Sequence, residues 1–319
     1  MTPLTESLNG LLLIDKPAGP TSHDVVARAR RALGERRIGH TGTLDPSASG
    51  LLPLVVGPAT RLARFLSGAD KTYDVEIRLG VATDTGDADG VPTTVSYTGP
   101  WPDAAMVERV LDAFRGTYLQ QPPAFSAKKV AGRRSYESAR AARGQRAVAG
   151  ASTPSPADAP RPVPVTVTRL ALLELDGPRL HVAIDCSAGF YVRTVAHDIG
   201  ARLGTGAHVT ALRRTRSGTF QVAAALPLAR VEADPDAARA ALLPPAAMLG
   251  PMPGVALTDA GVQRALHGQD IGPADAAPGT MWPTVIPQMT RLLSPQGTLV
   301  GLAEPSTFQG LLHPCVVLG

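Results

Sequence analysis

Polar and apolar positions alternate most regularly over residues 72–79. Tyr73, Val75, Ile77 and Leu79 fall on one side, with Thr72, Asp74, Glu76 and Arg78 on the other. That is the period of a half-buried strand. Residues 10–15 (GLLLID) and 51–56 are short apolar runs that read as buried strands, the first followed by the turn Lys16-Pro17-Ala18-Gly19-Pro20. Val25, Val26, Ala29 and Leu33 have helical spacing, with Thr21 or Ser22 as the cap and Gly34 as the stop. The same reasoning predicts a helix over 106–114, paired strands over 163–175 and 180–187, and a helix over 191–203 with Val192, Val195, Ala196, Ile199 and Leu203 inward.

The polar stretch 120–164 has no sustained period. Its part 141–162, rich in Ala, Arg, Pro and Ser, reads as a mobile inserted loop. Pro244, Pro245, Pro251 and Pro253 mark a boundary, after which short apolar runs broken by Gly and Pro predict a small β-rich domain. Strands and helices mix without strict alternation, so the expected class is α+β, with domains over 1–248 and 249–319.

A chain of 319 residues, 44% of them hydrophobic, suffices for two domains with a substantial core. No apolar run reaches the roughly 18 residues that a membrane span needs. The opening MTPLTESLNG lacks the basic and apolar regions of a secretory signal. Cys186 and Cys315 are too few and too distant for a disulfide framework, which points to the reducing cytoplasm. The net charge of +4 is unevenly spread: residues 125–220 hold 15 Lys and Arg against 6 Asp and Glu, whereas residues 250–319 hold 2 against 4. A basic middle fits either a phosphate-binding surface or a solvated face.

The segment Gly39-His40-Thr41-Gly42-Thr43-Leu44-Asp45-Pro46 is the most informative. Its glycines permit tight backbone and Pro46 stiffens the exit, so the loop can present one carboxylate rigidly. It is not a phosphate loop, because no Lys-Ser or Lys-Thr follows the glycines. A plain Asp-Pro turn remains open on pattern alone. Asp84-Thr85-Gly86 matches an aspartic protease signature only once, without the second aspartate such chemistry needs. The run 84–90 also fails as a calcium loop, since Ser96 stands where the closing Glu should be. The histidines show no metal-binding spacing. Arg193, near the start of a predicted helix, is poorly placed for the helix dipole and calls for an acidic partner.

Taken together these segments resemble the bacterial tRNA pseudouridine-55 synthases. Residues 13–22 (LIDKPAGPTS) look like the family's N-terminal motif and GHTGTLDPSASG like its catalytic motif. Lys71-Thr72-Tyr73 matches its K-x-Y motif, and Tyr191-Val192-Arg193-Thr194 with Asp198-Ile199-Gly200 its R-T-x-x-x-D-[LI]-G motif. Several motifs in the right order cover most of residues 10–220.

The resemblance implies a pseudouridine synthase catalytic fold, a largely antiparallel mixed sheet with flanking helices, and a PUA-like C-terminal domain. It implies isomerisation of uridine-55 in the tRNA T-loop, by cleaving N1–C1′ and rejoining through C5, without cofactor, metal or guide RNA, by a monomer. Asp45 would be the catalytic aspartate; attack at C1′, attack at C6 and a glycal route are all compatible with it. Arg193 would keep Asp45 ionised and Asp87 would hold Arg193. Tyr73 would stack on the target base, with Leu212 on the opposite side of the pocket. His40 would fill the gap left by the flipped base. Residues 120–146 resemble the family's thumb, whose Lys128, Lys129, Arg133 and Arg134 would meet phosphates, as would Lys16. The alternative is a non-catalytic module that binds and folds tRNA.

Overall fold

The computed structural model describes residues 8–123, 129–130, 133–134 and 161–318. Sixteen strands appear among them, β1 (Gly10–Lys16), β2 (Ile38–His40), β3 (Ser49–Val56), β4 (Lys71–Leu79), β5 (Gly116–Gln120), β6 (Lys129–Val130), β7 (Arg133–Arg134), β8 (Val163–Asp176), β9 (Arg179–Cys186), β10 (Ala207–Ser217), β11 (Phe220–Gln221), β12 (Leu226–Pro227), β13 (Gly254–Ala256), β14 (Thr290–Leu293), β15 (Leu299–Pro305) and β16 (Leu312–Val317). The main sheet runs β12-β1-β3-β10-β4-β9-β8-β5, with β2 on β3 and β11 on β10. Its pairings are antiparallel except β1 with β12 and β3 with β10. The class is α+β, as the mixed pattern predicts.

Helix α1 (Ser22–Leu33) starts where the sequence puts it. Thr21 is the N-cap, Asp24 closes a capping box with it, and Gly34 ends the helix at φ 69°. Helices α2 (Ala63–Ser67), α3 (Ala104–Asp112) and α4 (Val192–Leu203) follow. Val25, Val26, Ala29, Val107, Leu111, Val195 and Ile199 pack on the face of β4 that carries Tyr73, Val75, Ile77 and Leu79. The opposite face of β4 is laced by charge: His181 meets Asp74, and Thr72 and Arg216 both meet Asp185.

Several strands escape the sequence reading, and β5 and β10 are the longest of them. The run that holds β5 is too polar, with a burial pattern that is mostly exposed. Strand β10 is the larger omission, because Arg213, Arg214 and Arg216 make it look like basic surface. It nevertheless lies at the centre of the sheet between β3 and β4. Close approach there needs glycine: Gly50 has φ 98°, and a Cβ on it would lie 2.3 Å from the Arg214 carbonyl oxygen.

Strands β13 to β16 form a second sheet. It packs against the main one, since Leu299, Leu302, Val316 and Leu318 share a core with Leu11, Leu13, Leu51 and Val55. Arg61 Nη1 also donates to the Val317 carbonyl at 2.6 Å. The smaller sheet thus buttresses the strands that flank the catalytic-motif loop. Of the thumb-like segment the structure describes residues 120–123 and the backbone of the β6–β7 hairpin, with Lys129 opposite Arg134. Lys128 and most of the insertion 141–162 lie outside the described residues. No helix among the described residues is long and apolar enough to cross a membrane.

Candidate active site

Residues 41–48 leave β2 and re-enter the sheet as β3. The loop has few apolar side chains, so its shape depends on where its backbone groups find partners. Buried side chains supply most of them. Ser22 Oγ donates to the Leu44 carbonyl at 2.9 Å and accepts from the Leu44 amide at 2.8 Å. Lys16 Nζ donates to the carbonyls of Ala48 at 2.6 Å, Pro17 at 2.9 Å and Pro46 at 3.2 Å. Arg214 donates to Leu51 at 2.7 Å, Gly42 at 3.0 Å and Thr43 at 3.5 Å. The loop is therefore fastened from β1, α1 and β10 at once, and Asp45 is what it presents.

Asp45 is about one-third exposed, and its partner Arg193 is buried. Arg193 Nε lies 2.9 Å from Asp45 Oδ2, and Nη2 lies 3.4 Å from Oδ1, a two-point engagement of the carboxylate. On the far side Arg193 Nη1 donates to the Thr85 carbonyl at 2.7 Å and stands 3.8 Å from Asp87 Oδ2. Asp87 is itself held by Thr85 Oγ1 and by the Asp89 amide. The acidic partner that Arg193 needs is thus two carboxylates, one facing the cavity and one behind it.

The cavity in front of Asp45 measures about 380 Å³ and is lined by His40, Asp45, Tyr73, Arg193, Leu212 and Arg214 among others. That is room for a nucleoside-sized group. Tyr73 and Arg214 are cross-strand partners, so their side chains enter side by side. Burial raises the Tyr73 phenol above its ordinary value, so it stays neutral at physiological pH. His40 also lines the cavity, its ring edge-on to His23 with centroids 5.5 Å apart.

One expectation is corrected here. Lys16 does not offer its charge to phosphates: it is fully buried, and its ammonium is engaged by three carbonyls. Burial lowers its pKa to about 8, against the opposing pull of Asp45. The structure also adds two residues. Arg214 is buried at 1% exposure and Lys71 at 7%, and both line the cavity. Burial and then the nearby Arg214 lower Lys71 to about 8 as well, and its Nζ donates to the Ser67 and Ala69 carbonyls. Lys71 lies within the K-x-Y segment. The available signal for Arg214 was its position two residues after Leu212, on the same strand face.

The cleft is cationic, of base size, and presents one carboxylate, an arrangement suited to chemistry on a nucleoside. Residues 30–192 match the TruB family pseudouridylate synthase N-terminal domain, and residues 193–249 match the tRNA pseudouridylate synthase B C-terminal domain. The second match covers α4 and β10 of the main sheet, not the smaller sheet. The tRNA pseudouridine synthase B of Symbiobacterium thermophilum is 45% identical over 82% of this chain and 82% of its own. That of Solibacter usitatus is 38% identical over 98% of this chain and 100% of its own. A chain in the crystal structure of a Cbf5-Nop10-Gar1 complex superposes with TM-score 0.72 at 25% identity, covering 98% of this chain and 85% of that one. The chain belongs to the TruB family of pseudouridylate synthases.

Proposed function

We propose that this protein converts uridine-55 in the T-loop of tRNA to pseudouridine, with Asp45 as the group that acts at the glycosidic bond. The observation that carries the proposal is the Asp45–Arg193 pair at 2.9 Å, on the floor of a cavity large enough for a flipped nucleoside. The N1–C1′ bond breaks, the uracil turns, and C5–C1′ forms; C5 gives up its proton and N1 gains one. Arg193 keeps Asp45 ionised and aimed, and Asp87 fixes Arg193 from behind. Tyr73 stacks on the base, a contact worth about 1–3 kcal/mol, with Leu212 opposite. Arg193, Arg214 and Lys71 give the cavity an excess of positive charge, which favours negative charge developing on the departing base.

His40 enters the stack in place of the flipped base. Lys128, Lys129, Arg133 and Arg134 meet phosphates on the RNA. The protein works as a stand-alone monomer without guide RNA, in the cytoplasm; the bacterial relatives named tRNA pseudouridine synthase B support tRNA as the substrate. The smaller sheet, with its slight negative charge, serves as the PUA-like buttress of the catalytic sheet. Tritium release from a T-stem-loop labelled at uridine C5 tests the activity. An enzyme releases it; a module that only binds and folds tRNA releases none.

A further inference from the structure

The first turn of α4 is clamped by a residue that no motif singled out. Gln120, the last residue of β5, is 1% exposed. Its side-chain Nε2 donates to the Tyr191 carbonyl at 3.0 Å, and its Oε1 accepts from the Tyr191 amide at 2.8 Å. A primary amide thus pairs with one residue's backbone as a neighbouring strand would. Tyr191 is the N-cap of α4 and lacks a side-chain cap hydrogen bond of its own. One turn on, Thr194 Oγ1 donates to the Gln121 carbonyl at 3.2 Å. The contacts at 191 and 194 bracket Arg193, whose guanidinium holds Asp45.

We propose that Gln120 is a positioning residue for the reaction: it sets the placement of the Arg193 helix start and joins it to the root of the basic, thumb-like segment. The chain leaves the clamp through Pro122 and Pro123 directly into that segment. The chemistry of the contact is specific. An amide supplies one donor and one acceptor side by side; a carboxylate supplies acceptors only and sets an oxygen against the Tyr191 carbonyl. A displacement of order 1 Å at a catalytic group costs on the order of 100-fold in rate. This inference rests on Arg193 orienting Asp45.

The test uses the full-length Gln120→Met and Gln120→Glu proteins and an unmodified T-stem-loop RNA. Met keeps the length and volume of the side chain but makes neither hydrogen bond. Single-turnover rate and RNA affinity are measured separately. For Gln120→Met the rate falls roughly 10- to 100-fold with affinity within a few-fold of wild type. For Gln120→Glu the rate is low at pH 8 and recovers as the pH falls, because the protonated carboxyl restores the donor and burial raises its pKa. The wild-type profile is the control, since the pKa of His197 on α4 is raised by its hydrogen bond to Asp198. A wild-type rate for Gln120→Met, a rate loss matched by an equal affinity loss, or a pH-independent loss for Gln120→Glu overturns the proposal. Failure of the Asp45 reading shows separately, as turnover by an Asp45→Asn protein with Gln120 intact.

Discussion

Arg193 Nε lies 2.9 Å from Asp45 Oδ2 although 148 residues separate the two in the chain. A loop entering β3 and a helix entered from a turn after β9 converge on one ion pair. Asp87 stands behind it, so a buried guanidinium is shared between the carboxylate proposed to react and a structural one.

Removing the structural one should be costly. Asp87→Ala takes one of two carboxylates from the buried Arg193 and leaves it the partly exposed Asp45. We expect a stability loss of about 3 kcal/mol, read from urea unfolding. The single-turnover rate should fall roughly 10- to 100-fold through misplacement of Arg193. Unchanged stability and rate would show that Asp87 does not hold Arg193.

Lys16 separates a strut from an RNA contact. Lys16→Met strands three carbonyls that now share one ammonium. We expect a loss of about 2–3 kcal/mol in stability and a slower reaction, with RNA affinity and its salt slope unaltered. A weaker affinity with a shallower salt slope would return Lys16 to the RNA surface.

The two buried lysines also set a pH limit. Both have pKa values lowered to about 8, so each ammonium is fully charged below that pH and loses its proton as the pH rises through it. A neutral amine has too few protons for the three carbonyls around Lys16. It also removes positive charge beside Asp45. The rate at saturating RNA should therefore decline above about pH 8. The decline should become shallower in Lys71→Arg, whose guanidinium does not titrate there, with the part due to Lys16 left in place. The sign for stability is opposite. With the folded pKa below that of the unfolded chain, the unfolded state binds more protons between the two values, and stability grows as the pH rises through that window.

RNA affinity should depend steeply on salt. Replacing Lys128, Lys129, Arg133 and Arg134 together by Ala should reduce the slope of log affinity against log salt by about 3. Filter binding over a salt series reads this, and an unchanged slope would remove the basic segment from the interface.

Much of the fold follows from pattern. The β4 alternation, the Thr21–Gly34 limits of α1 and the β8–β9 pair come from period and punctuation alone, because one face of each is buried and the other is not. Strand β10 hides because its central arginine is buried for a reason outside the strand: Arg214 serves carbonyls 163 to 172 residues away in sequence. Lys16 misleads in the same way, since a lysine in a turn looks exposed until three carbonyls are found around it. Asp45, Tyr73, Arg193 and His40 stand in the motif segments, and Asp87 and Leu212 enter through the family resemblance. Their mutual distances were not legible, because spacing along the chain carries no information about an ion pair closed between distant elements.

The central claim is that Asp45 performs the chemistry while the rest of the cleft binds and orients. Pseudouridine mapping in tRNA treated with wild-type and Asp45→Asn protein, alongside T-stem-loop affinity, tests it directly. The account predicts pseudouridine at position 55 with wild type and none with Asp45→Asn, which still binds RNA with affinity within a few-fold of wild type. Pseudouridine formed by Asp45→Asn would contradict it.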